Sequence, residues 1–315
     1  MKIHTQRIRD EWRRSFKADE SKFIMLTGLK VTLISFTITS TVYVWLYELM
    51  RLNWVFFKSQ GFPEFFGEAS FYDYLISEAV ENVYLLVIFH ICLFFIGCYL
   101  GWLILRPFRT IGTYAEKVIE NPNTEYKLED FSTYKLLSRF SEFFFEYLRE
   151  SRRRGVIAQN SIPPQYSRIH KPVPDRIFML HFGLLMIIIA ISSIVFIIEN
   201  ASVVFTNLGE LAGKTLTNNR AAASFISDQV FILDDMVVLI VTLVSVGYFF
   251  LGVHLYEKVS GAAFGIFSTM RAFMKGNHFS RVHLVGYSYV REHTRKLNKY
   301  LDYIQNNLTK EDPKG

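Results

Sequence analysis

Catalysis announces itself through motifs such as a nucleophile elbow, a His-Glu-x-x-His metal site, a kinase signature or a glycine-rich phosphate loop, and this 315-residue sequence has none of them. Its two cysteines, Cys92 and Cys98, fall within one apolar run, where they read as packed or lipid-facing thiols and not as a disulfide or metal pair. Ionisable groups in apolar runs are functional candidates by default. His90, His181 and His254 are three of them. His181 and His254 lie near the same end of their runs and His90 toward the other, with no pair at ligand spacing on one helix, so packed or interfacial roles fit better than haem or metal. Asp234 and Asp235 stand at the start of the last apolar run. A coupling ion could use them, but acids are favoured at a helix N-terminus anyway. The expectation is a chain with no cofactor, no metal and no enzymatic activity.

The elements that carry these residues are membrane helices. Half the residues are apolar, 30 are Phe and 17 are Tyr, against 29 acids and 35 Lys and Arg. In a soluble chain a net charge of +6 would suggest nucleic acid; in a membrane chain it points first to basic cytoplasmic flanks and anionic lipid. About 20 apolar residues cross a hydrocarbon core of about 30 Å. Four stretches qualify, near 23–47, 84–105, 177–198 and 236–256. Lys and Arg crowd the segment before the first span (Lys2, Arg7, Arg9, Arg13, Arg14, Lys17, Lys22) and the segment between the second and third, while loops 48–83 and 199–235 hold few. The positive-inside rule therefore predicts an inner-membrane protein with both termini cytoplasmic and two short outer loops. The first outer loop is rich in aromatics, from Trp54 to Tyr74, and reads as an interfacial belt. The stretch around Trp12 and Phe16 reads as a basic lipid-facing helix, and the C-terminal residues from 309 as a polar tail.

The chain is written twice. Two spans followed by a polar amphipathic tail recur at an offset of 156, with Phe108/Phe264, Thr113/Thr269, Asn121/Asn277, Leu128/Leu284, Ser132/Ser288, Arg139/Arg295 and Tyr147/Tyr303 identical. Pro107, Ile111, Tyr114 and Val118 share one helical face, as do Ala263, Phe267, Met270 and Met274. Turn chemistry follows in each copy, Glu120-Asn-Pro-Asn-Thr in the first and Lys275-Gly-Asn-His in the second. Apolar residues then return at helical spacing, at Phe140, Phe144, Phe145 and Leu148 and at Leu297, Tyr300, Leu301 and Ile304.

A span, an Arg106-Pro107 start, a helix, a short connector with isolated apolar residues and a second helix resemble the HAMP signalling linker of bacterial membrane receptors. Met274-Lys-Gly-Asn-His-Phe-Ser-Arg-Val-His-Leu carries the resemblance best. Its packing positions fall on Pro107, Ile111, Tyr114, Val118, Leu128, Phe145 and Leu148 and on Phe267, Met270, Met274, Leu284, Leu297, Leu301 and Ile304. Two departures stand out: Leu137 and His293 occupy the place of the acid that usually opens the second helix, and Ala263 replaces the proline.

The expected organisation is a basic segment (1–22), a hairpin of spans (23–105), a HAMP-like unit (106–150), an extended Pro/Arg-rich linker (151–176), a second hairpin (177–256), a second HAMP-like unit (257–308) and a tail (309–315). The fold class is thus an all-α integral membrane protein. Its two tandem hairpins carry tails that build one intramolecular pseudo-twofold four-helix cytoplasmic bundle. The alternative is a homodimer in which each tail pairs with its own copy. The resemblance implies a non-enzymatic relay of conformational change to a separate protein partner. A transporter or channel subunit and a structural scaffold of an envelope complex are the competing classes.

Overall fold

A computed structural model describes residues 19–60, 67–81, 83–122, 124, 135–157, 159–167, 176–215 and 220–310. The basic stretch before residue 19, Leu128, the linker residues 168–175 and the tail from 311 lie outside the described residues. The elements in chain order are α1 (Asp19–Ser59), α2 (Glu68–Glu81), α3 (Val83–Glu120), α4 (Lys135–Arg154), β1 (Val156–Ile157), α5 (Pro164–Ser167), α6 (Arg176–Thr215), α7 (Arg220–Met274), a 3-10 turn (Ser288–Val290), α8 (Arg291–Asn307) and β2 (Thr309–Lys310). Stretches in α1, α3, α6 and α7 are long and apolar enough to cross a membrane, so the chain is a multi-pass, essentially all-helical membrane protein.

The helices outrun the expected spans. Residues 48–59 continue α1 and residues 199–215 continue α6, where outer loops were expected, and α2 occupies most of the remaining first loop. Asp234 and Asp235 consequently sit well inside α7 and are exposed, not at a helix N-terminus, so the dipole no longer accounts for them. Arg152 to Arg154 end α4 instead of opening an extended linker, because basic residues suit a helix C-terminus.

The chain divides into two units, and α1, α3, α6 and α7 each contribute to both. One unit comprises residues 28–97 and 185–252. Its helices leave Leu33, Val87, Ile188, Phe249 and similar side chains outward, as lipid-facing helices must, and bury a few polar ones inside. Tyr248 donates to the carbonyl of Val31 at 3.1 Å and lies 3.3 Å from Ser193 Oγ. Gly97 admits α1 closely: a Cβ there would come within 2.8 Å of Gly28 Cα. The aromatic loop is only partly a surface belt. Phe57 and Phe71 are fully buried, their rings 5.7 Å apart with Trp54 5.4 Å from Phe71, because α2 folds its apolar face back on α1. His90 is buried in this unit, its Nδ1 2.8 Å from the Leu86 carbonyl, between Phe36 and Phe89.

The other unit, residues 1–27, 98–184 and 253–315, carries the two tails. Gly101 lets α1 and α3 meet, its notional Cβ lying 3.1 Å from Thr27 Cβ. The second connector is pinned along its length: α7 ends on Gly276 at φ 98°, with Asn277 N–H bonding Ala272 O and Gly276 N–H bonding Phe273 O, the two bonds of a Schellman stop. Beyond the stop, Asn298 holds Val282 through both its backbone N–H and C=O, and Arg281 pairs with Asp302 at 2.7 Å. Gly261 and Gly265 leave room on α7 for Tyr287 and Leu284, whose side chains fill the space a Cβ would need. The start of the linker ties in as well: Asn160 N–H caps α7 at Met274 O, and β1 pairs in parallel with β2 over two residues.

Candidate functional site

The candidate site is where residues of the two tails, here called the first and second copy after the sequence pattern, are buried against one another in the tail-bearing unit. In α3, Pro107, Ile111, Tyr114 and Val118 all face inward, and so do Phe267, Met270 and Met274 in α7. α4 buries Phe145 and Leu148, and α8 buries Leu297, Leu301 and Ile304. Leu284 is half-buried on the second connector. The spacing in α4 and α8 explains this: both are strongly amphipathic, polar outside and apolar on one stripe, so neither hides its apolar face without neighbours.

The contacts run between copies as well as within them. Tyr114 meets Phe145 at 4.6 Å within the first copy. Across copies, Phe145 lies 6.0 Å from Tyr300, Phe140 lies 4.3 Å from Phe267, and Phe144 lies 6.2 Å from Phe273. Burial pushes the hydroxyl pKa of Tyr300 well up, and burial pushes that of Tyr147 up to about 12, so both stay neutral at ordinary pH.

A polar cluster joins the same copies on another side. Glu20, in the first turn of α1, accepts from Arg109 of α3, whose Nε is 3.0 Å away, and lies 3.2 Å from Nε2 of His293 at the start of α8. His293 is 5 % exposed and Glu20 16 %, so this is a partly dehydrated charge cluster and not a surface pair. Gly112 makes the approach possible, since a Cβ there would sit 2.9 Å from His293 Cα and Cβ. One turn further along, Lys296 of α8 lies 2.9 Å from Glu116 of α3 and 3.3 Å from Glu292. The Glu116 carboxylate raises the Lys296 ammonium pKa above its usual value. Phe23 of α1 stacks on Tyr289 at 4.3 Å, adding an apolar contact beside the charges.

No protein family, curated protein or solved structure matches the chain. The geometry alone therefore carries the reading.

The cluster has no counterpart in the other copy. At the offset of 156, Arg109 corresponds to Gly265, Glu116 to Ala272 and His293 to Leu137. One side of the cross-copy contact is thus aromatic, through Phe140, Phe144, Phe267 and Phe273, and the other is charged. In the sequence His293 stands out only as a departure from an acid. Glu20, Gly112 and Lys296 gave no sign in the sequence, because nothing local tells that a glutamate at the head of the first span meets residues 89 and 273 positions away. The other candidates do not assemble: His181 and His254 are exposed, and among the described residues no cluster of three or more His, Cys, Asp or Glu could hold a metal.

Proposed function

We propose that this is a non-enzymatic regulatory protein of the bacterial inner membrane, both termini cytoplasmic, in which two HAMP-like units of one chain form a composite four-helix bundle. That bundle relays conformational change from the membrane helices to a separate protein partner. The observation that supports it is the burial of both copies' apolar stripes against each other within a single chain, with Phe145 against Tyr300 and Phe140 against Phe267. Helical continuity gives the relay a mechanical basis. α3 and α7 are each continuous in backbone from apolar span to buried tail, α3 with Pro107 inside it, so a shift or rotation of either span has a path along the helix into the core. The unequal contacts, aromatic on one side and charged on the other, suit a bundle with two packings of similar energy, because a charged pair can be exchanged for water while an aromatic seam holds register.

The relay is tested by disturbing the hairpin and reading the tails. Spin labels at Glu146→Cys and Lys299→Cys, both exposed positions, in a background free of Cys92 and Cys98, report the separation of α4 and α8. Gly97→Leu, in the unit of residues 28–97 and 185–252, drives a side chain into α1 at Gly28 and Val31. The relay predicts a shifted distance distribution between the labels. An unchanged distribution with the protein still folded contradicts it.

A further inference from the structure

We propose that the groove at the far end of the tail-bearing unit binds a phosphate-bearing anion. The groove encloses about 570 Å³ where the ends of α3, α4 and α8 come together, a volume in the range of small-molecule sites. Arg149, Arg152 and Arg153 of α4 line it, with Tyr303 and Asn307 of α8 opposite, and no acid lines it among the described residues. On α4, Glu146 pairs with Arg149 at 2.7 Å and so partly neutralises that groove arginine, while Glu150 pairs with Arg154, outside the groove, at 3.0 Å.

Arg152 is the residue that makes this more than a basic helix end. Its Nη2 donates to the carbonyl of Pro122 at 2.9 Å, while Nε and Nη1 are shielded from water and make no hydrogen bond. Guanidinium N–H groups so placed forfeit hydration without recovering it. The dipole of α4 accounts for cations in its last turn, but it neither supplies acceptors for these donors nor fills the groove. A phosphate oxyanion does both once the guanidinium swings from the Pro122 carbonyl into the groove, because the planar fork of arginine matches two phosphate oxygens and a second arginine neutralises the remaining charge. Tyr303 and Asn307 add a ring face and an amide for the rest of the ligand.

Two sources could supply this chemistry, a soluble phosphate ester or a lipid headgroup. The stretch of α3 from Arg106 to Glu120 carries the groove roughly 20 Å past the apolar run, about two Debye lengths at physiological salt, which favours the soluble source. A ligand there would bridge α4 of the first copy to α8 of the second.

The test uses the full chain in phosphatidylcholine nanodiscs, titrated calorimetrically with inorganic pyrophosphate. Saturable one-to-one binding with Kd below about 1 mM is expected. Arg152→Gln should weaken it at least tenfold, and so should Arg149→Gln paired with Arg153→Gln if the first variant loses helicity. Arg154→Gln, whose side chain is exposed beside Glu150, should leave it within twofold. Affinity preserved in phosphatidylglycerol discs assigns the site to a soluble anion; affinity lost there assigns the same site to a headgroup that competes. No saturable heat with the unaltered protein, or equal weakening by Arg154→Gln, overturns the proposal. Binding is read directly, so the result stands apart from whether the bundle relays anything.

Discussion

Glu20 gathers the Arg109 guanidinium and the His293 ring from two different helices, and its removal would leave both without that partner in a partly dry pocket. Truncation of one member of such a cluster leaves the polar groups of the others unsatisfied, costing on the order of 1–3 kcal/mol. In a double-mutant cycle of Glu20→Ala with His293→Ala, followed by denaturant unfolding, the two losses should fall short of adding by about 0.5–3 kcal/mol. Strict additivity would mean that the 3.2 Å approach contributes nothing. Gly112 makes a second prediction at this scale. Gly112→Ala must force α3 from α8, because the new Cβ meets His293 backbone and side chain, and should cost about 1–3 kcal/mol. Gly209→Ala in α6 meets nothing within 4 Å and gains about 1 kcal/mol of helix propensity, so it should be neutral or stabilising by the same unfolding assay.

Among the elements, α4 and α8 depend most on tertiary packing. Both are short, strongly amphipathic and poor in intrinsic stability alone, so their order comes from the rings they bury. Phe145→Ala and Tyr300→Ala should each cost about 3–5 kcal/mol and open both helices to limited proteolysis together, since the rings touch across copies. Phe279→Ser, at a connector position 69 % exposed, should leave the digestion pattern unchanged. Cutting confined to the mutated helix would argue that the two copies pack independently. The sequence made these elements readable wherever periodicity was strong: the stripes of α4 and α8 and the turns after Glu120 and Lys275 are where 3-4 spacing and Asn, Pro and Gly put them. It misled where composition changed without a change of backbone. The polar residues after 47 and 198 looked like loops, yet α1 and α6 continue through them, because Trp, Phe, Asn and Glu are tolerated in a helix whose other face is buried.

At the scale of the whole molecule, the proposed bundle takes both of its halves from one chain, and that has a consequence for symmetry. Identical subunits would place the same residues on both sides of the core. Here the two tails differ in sequence: Arg109, Glu116 and His293 form polar contacts, while Gly265, Ala272 and Leu137 stand 156 positions away from them. None of this could be read from either copy alone, since a polar residue on an amphipathic tail looks solvated until its partner in the other copy is known. The pairing within one chain is the claim on which the relay rests, and cysteine trapping addresses it directly. In a protein lacking Cys92 and Cys98, Gly112→Cys with His293→Cys places two Cβ atoms about 2.9 Å apart, which a sub-ångström shift brings to disulfide spacing. The account predicts a bridge within the monomer on oxidation in membranes, and no bridge when the two cysteines are supplied on separate co-expressed chains. A disulfide-linked dimer from the separate chains, with no bridge inside the monomer, would contradict it.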